Sequence, residues 1–151
     1  NIYFVYLNRK QNTRESINRY KNIFIDDAVR KSTIKKIDKI SEKLLDCVDL
    51  KEFEEIIFEH ENLVSHALDL PRVKDLLFGD YWGTVKSLGA WGGDFVIVTS
   101  DRPLKETKSY FNKLGYNEFL TYDELIAQRN IKDKNLERKV IESAEPTIRT
   151  H

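Results

Sequence analysis

Trp82-Gly83-Thr84-Val85-Lys86-Ser87-Leu88-Gly89-Ala90-Trp91-Gly92-Gly93-Asp94-Phe95-Val96-Ile97-Val98-Thr99 is the stretch that decides the fold. Residues 82–88 read as one strand, and the β-branched and aromatic run 95–99 reads as a second, buried one. Between them, three glycines and an alanine within five positions read as a turn. Five of the six glycines lie between Gly79 and Gly93, so backbone freedom is concentrated in this part of the chain.

Upstream, residues 2–7 (Ile-Tyr-Phe-Val-Tyr-Leu) are β-branched and aromatic and give way to a polar turn, which predicts a strand. Thr13-Arg14-Glu15-Ser16 has the residues of a helix start, with Ile17 and Tyr20 on a modest apolar side, so a short helix is expected there. From residue 27 to 48, Val29, Ile37, Ile40, Leu44 and Val48 recur at helical steps between Lys and Asp residues, predicting an amphipathic helix. Asp49 and Glu52 have capping-box spacing, and Phe53, Ile56, Ile57, Leu63, Val64 and Ala67 carry a second long helix to about Leu68. Pro71 suits the first turn of a short third helix with Val73, Leu76 and Leu77 on its apolar side and Gly79 at its end.

Downstream, Ser100 or Asp101 is placed to cap a helix that Pro103 opens, Leu104, Phe111 and Leu114 line, and Gly115 closes. Residues 116–122 read as a last strand. The order strand, helices, strand, strand, helix, strand predicts an α+β fold of the ferredoxin-like βαββαβ kind: an antiparallel sheet with helices on one face and extra helices in the first crossover. Residues 1–122 form the expected domain. Residues 123–151 are a charged C-terminal extension, expected to be partly helical from the loose spacing of Leu125, Ile126, Ile131, Leu136 and Val140.

Composition narrows the function classes. The 151 residues suit one domain with a true core, 40% of them apolar and 33% charged, with two Trp, seven Tyr and eight Phe. Twenty-five basic and 25 acidic residues cancel, which removes the basic excess expected of a nucleic-acid binder. The longest apolar run, residues 2–7, is far below the roughly 20 residues of a membrane helix, and no signal-peptide pattern occurs. A single cysteine, Cys47, fits a reducing compartment, so a cytoplasmic location is expected. Methionine is absent and an apolar run starts at the second residue, which leads us to expect a piece of a longer polypeptide.

The chemistry centres on residues 86–94. Glycines at positive φ let successive backbone N–H groups point into one concavity and cradle an anion, whereas the same glycines also satisfy a plain tight hairpin. A Walker A loop is excluded, because Gly-x-x-x-x-Gly-Lys-Ser/Thr does not occur and no helix follows directly.

Lys86-x-x-Gly89-Ala90-x-Gly92-Gly93, set between two strands and after a helix-rich insertion, resembles the third motif of the GHMP small-molecule kinases, a family containing galactokinase, homoserine kinase, mevalonate kinase and phosphomevalonate kinase. The full wording from Lys86 to Phe95 is similar to the GYDIA-type branch. Trp91 and Asp94 depart from it, standing where many relatives have glycine. The resemblance covers roughly residues 1–122. It implies the C-terminal half of an ATP- and Mg2+-dependent kinase whose N-terminal domain holds the phosphate loop and the catalytic residues, so that the fragment alone is inactive. It further implies transfer of the γ-phosphoryl group to a small-molecule acceptor, a mevalonate-pathway intermediate being the leading choice. Gly89, Ala90, Gly92 and Gly93 would line the nucleotide side of the cleft.

Four further residues are candidates for contact with the acceptor. Thr13 and Arg14 follow the first strand at a corner that faces the cleft in relatives, and equally serve as a helix cap. Lys86 can meet a phosphate as a point charge or simply end an exposed strand face. Trp91 can cover a bound ring or plug a domain interface. Asp94 reads as a turn residue, His60 as a hydrogen-bonded, partly buried histidine on an apolar stripe, and the charge run 31–43 as a solvated helix face. His60 and His66, six apart, do not share a helix face for paired ligation, and no metal site is expected. Two alternatives stand beside the kinase: a non-enzymatic ferredoxin-like module that binds a ligand or pairs through its sheet edge, and an ATP-using decarboxylase of the same superfamily.

Overall fold

The computed structural model describes residues 1–8, 18, 27–89 and 94–125. The expected helix start at residues 13–16, with Ile17 and Tyr20, and the extension beyond Leu125 lie outside the described residues. The elements in order are β1 (Ile2–Tyr6), α1 (Asp27–Leu45), α2 (Leu50–Leu68), α3 (Val73–Leu77), β2 (Val85–Leu88), β3 (Phe95–Thr99), α4 (Leu104–Lys113) and β4 (Phe119–Thr121).

The strands form an antiparallel four-stranded sheet in the order β2-β3-β1-β4, the ferredoxin-like arrangement, and helices α1, α2 and α3 lie among the described residues of the first crossover. Strand β3 is central and antiparallel to both β1 and β2. Its register aligns Tyr3, Val98 and Val85 across the sheet, and Val5, Val96 and Ser87 beside them. Side chains alternate along each strand, so these residues share one face. Leu7, Phe119, Val73, Phe78, Tyr81 and Phe111 complete the core on that face. Phe78 and Phe111 are fully buried with ring centroids 5.4 Å apart. Ile2, Phe4, Tyr6, Phe95 and Ile97 share the opposite face and are partly exposed.

Helix α2 lies against β2, the edge strand, and α1 packs on α2, where Lys43 Nζ meets Glu59 Oε2 at 2.8 Å. Asp49 caps α2 by accepting from Glu52 N at 2.8 Å, and Glu52 Oε2 accepts from Val48 N at 3.1 Å. Helix α1 stops at Leu45 rather than at Val48, and of its apolar stripe only Ile40 is buried.

Three more boundaries differ from expectation. The strand expected over 82–88 begins at Val85, because Trp82 and Gly83 bend across the end of β3. Gly83 approaches so closely that a Cβ there would lie 2.0 Å from the Thr99 carbonyl oxygen. Neither Ser100 nor Asp101 caps α4, whose N-cap is Pro103 without a side-chain bond. Ser100 Oγ is instead taken by Trp82 Nε1 at 2.9 Å, Arg102 N at 3.0 Å and Thr107 Oγ1 at 2.8 Å. Helix α3 begins at Val73, leaving Pro71 before its first turn. Gly115 closes α4 as expected, at φ +89, and Tyr116 N returns to Phe111 O at 3.0 Å. The last strand is Phe119–Thr121, shorter than the expected 116–122.

The chain divides into compact units Asn1–Phe119 and Leu120–His151. Within the second, Thr121 and Glu124 form a reciprocal capping box, with Thr121 N donating to Glu124 Oε2 at 2.7 Å and Glu124 N to Thr121 Oγ1 at 3.2 Å, starting a helical turn over residues 122–125.

Candidate functional site

The β2–β3 connection leaves the sheet at Gly89 and returns at Asp94. Gly89 has φ +74, a left-handed conformation that glycine adopts without penalty, and nothing lies within 4 Å of where its Cβ would be. On the return side, the Asp94 carbonyl accepts from Leu7 N at 2.7 Å, which ties the start of β3 to the end of β1. Both ends of the connection are thus anchored in the sheet. Ala90, Trp91, Gly92 and Gly93 lie outside the described residues, as do Thr13 and Arg14, so of the eight candidate residues the structure describes Gly89 and Lys86.

Lys86 is not a free point charge. Its Nζ donates to Glu61 Oε1 at 3.0 Å and stands 3.3 Å from His60 Nδ1. Glu61, on α2, is 2% exposed, and its Oε2 accepts from Ser87 N at 3.3 Å. That N–H belongs to the outer edge of β2, which otherwise offers an unpaired donor. One carboxylate therefore caps the sheet edge and neutralises the adjacent lysine, three residues before Gly89. A buried carboxylate is tolerated only with such partners. Ser87 Oγ, beside this cluster in the chain, is buried without a hydrogen-bond partner among the described residues. His60 is partly buried and in contact with Lys86, in line with the reading of its stripe position. His66 is exposed, with Nδ1 2.7 Å from Asn62 O, and the two histidines do not converge.

Two turns earlier on α2, Glu54 reaches the far end of the same strands. Thr99 Oγ1 donates to Glu54 Oε1 and accepts from Thr84 N at 2.8 Å, while Lys74 Nζ donates to Gly83 O. Burial pulls the Lys74 ammonium below its ordinary pKa, opposed by the nearby Glu54 charge. Tyr81 OH donates to Thr99 O at 2.6 Å, and burial pushes this phenol above its ordinary pKa. Glu61 thus fastens α2 to the β2 edge and Glu54 fastens it to the end of β3, so α2 is tied to both strands that flank the connection.

Sequence reasoning missed Glu61. The signal available was a carboxylate at a stripe position, four residues after Ile57 and three before Val64, with a strand lysine elsewhere to answer it. Among the described residues, no three His, Cys, Asp or Glu side chains gather where they could hold a metal ion. No described helix is long and apolar enough to cross a membrane. No family model matches the chain, and no curated protein matches it.

Proposed function

We propose that this chain is the C-terminal half of an ATP-dependent small-molecule kinase of the GHMP type, close to the GYDIA branch and working in the cytoplasm. One observation carries the reading: Lys86-Ser87-Leu88-Gly89-Ala90-Trp91-Gly92-Gly93 joins β2 to β3 of a ferredoxin-like sheet whose first crossover carries extra helices, the context in which the family has its third motif. The open space beyond Gly89 suits close approach of a phosphate-bearing ligand to the backbone.

In this reading ATP with Mg2+ supplies the γ-phosphoryl group, and a hydroxyl or phosphate oxygen of the acceptor displaces ADP from it. Gly89, Ala90, Gly92 and Gly93 line the nucleotide side, and Thr13, Arg14 and Trp91 contact the acceptor. Lys86 works from behind, locked to Glu61 so that the strand entering the glycine stretch is held in place. The N-terminal domain contributes the phosphate loop and the base. The alternative of an interaction module pairing through β2 is disfavoured by the Glu61 carboxylate, which already occupies that edge.

The test is to express the protein from its complete reading frame, supply Mg-ATP with mevalonate, phosphomevalonate, galactose or homoserine, and measure ADP. Release that depends on one acceptor is expected. No acceptor-dependent release with any of them contradicts the proposal, and loss of carbon dioxide with ADP release favours the decarboxylase.

A further inference from the structure

His60 and Glu61 are consecutive on α2, about 100° apart around the helix, and both reach Lys86 on β2. Lys86 Nζ donates to Glu61 Oε1 at 3.0 Å and lies 3.3 Å from His60 Nδ1, with its next acceptor, Ser87 O, at 3.5 Å. An ammonium can only donate, so the ring nitrogen that faces it is the bare one, and the neutral imidazole carries its proton on Nε2. Glu61 Oε2 is engaged by Ser87 N at 3.3 Å, and Oε1 is the oxygen turned to both cationic side chains.

Protonation of the ring inverts the middle of this cluster. Nδ1 becomes a charged donor 3.3 Å from the lysine ammonium, and the two cations compete for Oε1, which lies 3.6 Å from the ring nitrogen. The three groups differ in where they can go. Glu61 is 2% exposed and keeps its charge only with a partner, whereas the Lys86 side chain is 21% exposed on a flexible stem that reaches water. Histidine is the side chain whose charge ordinarily changes between about pH 5 and pH 8. Among the described residues, the charged groups that meet the His60 ring are Lys86 from β2 and Glu61 from α2 itself. The α1 side brings Lys43, held by Glu59 Oε2 at 2.8 Å, and ahead of α3 Arg72 lies over the Phe58 ring and pairs with Asp75, so both of these cations are already matched by a carboxylate.

We infer that His60, Glu61 and Lys86 form a pH-sensitive latch between α2 and β2, closed by Lys86 while the His60 ring is neutral and opened when the protonated ring takes the place of Lys86 at Glu61. The closed form ties two elements together. In the open form Glu61 pairs with its own neighbour on α2, and the Ser87 N–H is the one bond of the cluster that still joins the helix to the strand. The strand leading into Gly89 is thus held at neutral pH and slackened in acid. The inference stands on the geometry of these three side chains and does not rest on the kinase reading.

The test is the energetic coupling between Lys86→Met and Glu61→Gln, measured by urea unfolding of the protein at about pH 7.5 and about pH 5.5. The coupling is expected to fall to less than about half at the lower pH. His60→Asn keeps an acceptor near the place of Nδ1 and cannot titrate, and His60→Gln, a better helix former, serves as a second such variant. In both backgrounds the coupling should be the same at the two pH values. Amide protection at Ser87 and Leu88, taken relative to the β3 amides, should fall with pH in the parent and stay level in the His60 variants. Coupling or relative protection that does not change with pH in the parent overturns the latch. So does a loss of equal size in both His60 variants, which would make Glu61 the group that takes the proton.

Discussion

Replacing Lys86 by methionine keeps the length of the side chain and removes its charge. Glu61, 2% exposed, then keeps only the Ser87 N–H at 3.3 Å and the His60 ring, whose Nδ1 is 3.6 Å from Oε1. Removing one partner of a buried ion pair costs about 3–5 kcal/mol. The remaining hydrogen bond and the partly exposed histidine place Lys86→Met near the lower end, about 3 kcal/mol. For a chain of this size that lowers the melting temperature by roughly 10 °C. Glu61→Gln retains an acceptor for Ser87 N and leaves a lysine that is 21% exposed and able to turn towards water, so it should cost less, about 1–2 kcal/mol. Combining Lys86→Met with Glu61→Gln removes both charges together and should recover about 2 kcal/mol relative to the sum of the single changes. Urea unfolding followed by circular dichroism reads all four proteins. If Lys86→Met stays within about 0.5 kcal/mol of the parent, or the two sites are additive, the pair is not what fastens α2 to β2 and the argument for Lys86 as a positioning residue fails.

Other outcomes follow from the same contacts. Gly83→Ala places a methyl carbon 2.0 Å from Thr99 O and should destabilise by about 2–3 kcal/mol in thermal unfolding, with a neutral result contradicting the close crossing of Gly83 over β3. Tyr81 holds its proton longer when folded than unfolded, so its contribution is complete below about pH 10 and is lost as pH rises further. Lys74, whose folded pKa is lowered, acts in the opposite sense, with stability rising with pH in the window below 10.5. The Tyr81 shift is the larger, so the melting temperature should fall above about pH 10 and fall less steeply in Tyr81→Phe. An unchanged slope in that variant would remove Tyr81 as the cause. Asp49→Ala deletes the α2 cap and should cost about 1 kcal/mol, measurable in the same urea experiment; no change would mean that the cap does not contribute to stability.

The elements were legible wherever a local pattern decides them. The β-branched run 95–99, the capping box at Asp49 and Glu52, and Gly115 at the end of α4 all act within a few residues, and each is found where its pattern puts it. Contacts across the chain were not legible. Ser100 looks like a cap for α4 until Trp82, 18 residues away, claims its hydroxyl. Trp82 looks like strand until Gly83 meets the Thr99 backbone. Periodicity showed that α1 has an apolar side but not what covers it, and Val29 and Leu44 remain exposed. At the candidate site, the glycines flagged the β2–β3 connection, whereas the carboxylate behind it lies 25 residues from Lys86 and belongs to a different element.

Peptide-resolved hydrogen exchange on the protein expressed from its complete reading frame tests the kinase reading at the residues on which it stands. Mg-ATP together with the acceptor should slow exchange across residues 86–94 while leaving α1 unaffected. Unchanged exchange in 86–94 under conditions where the nucleotide demonstrably binds would contradict the assignment of that stretch to the nucleotide cleft.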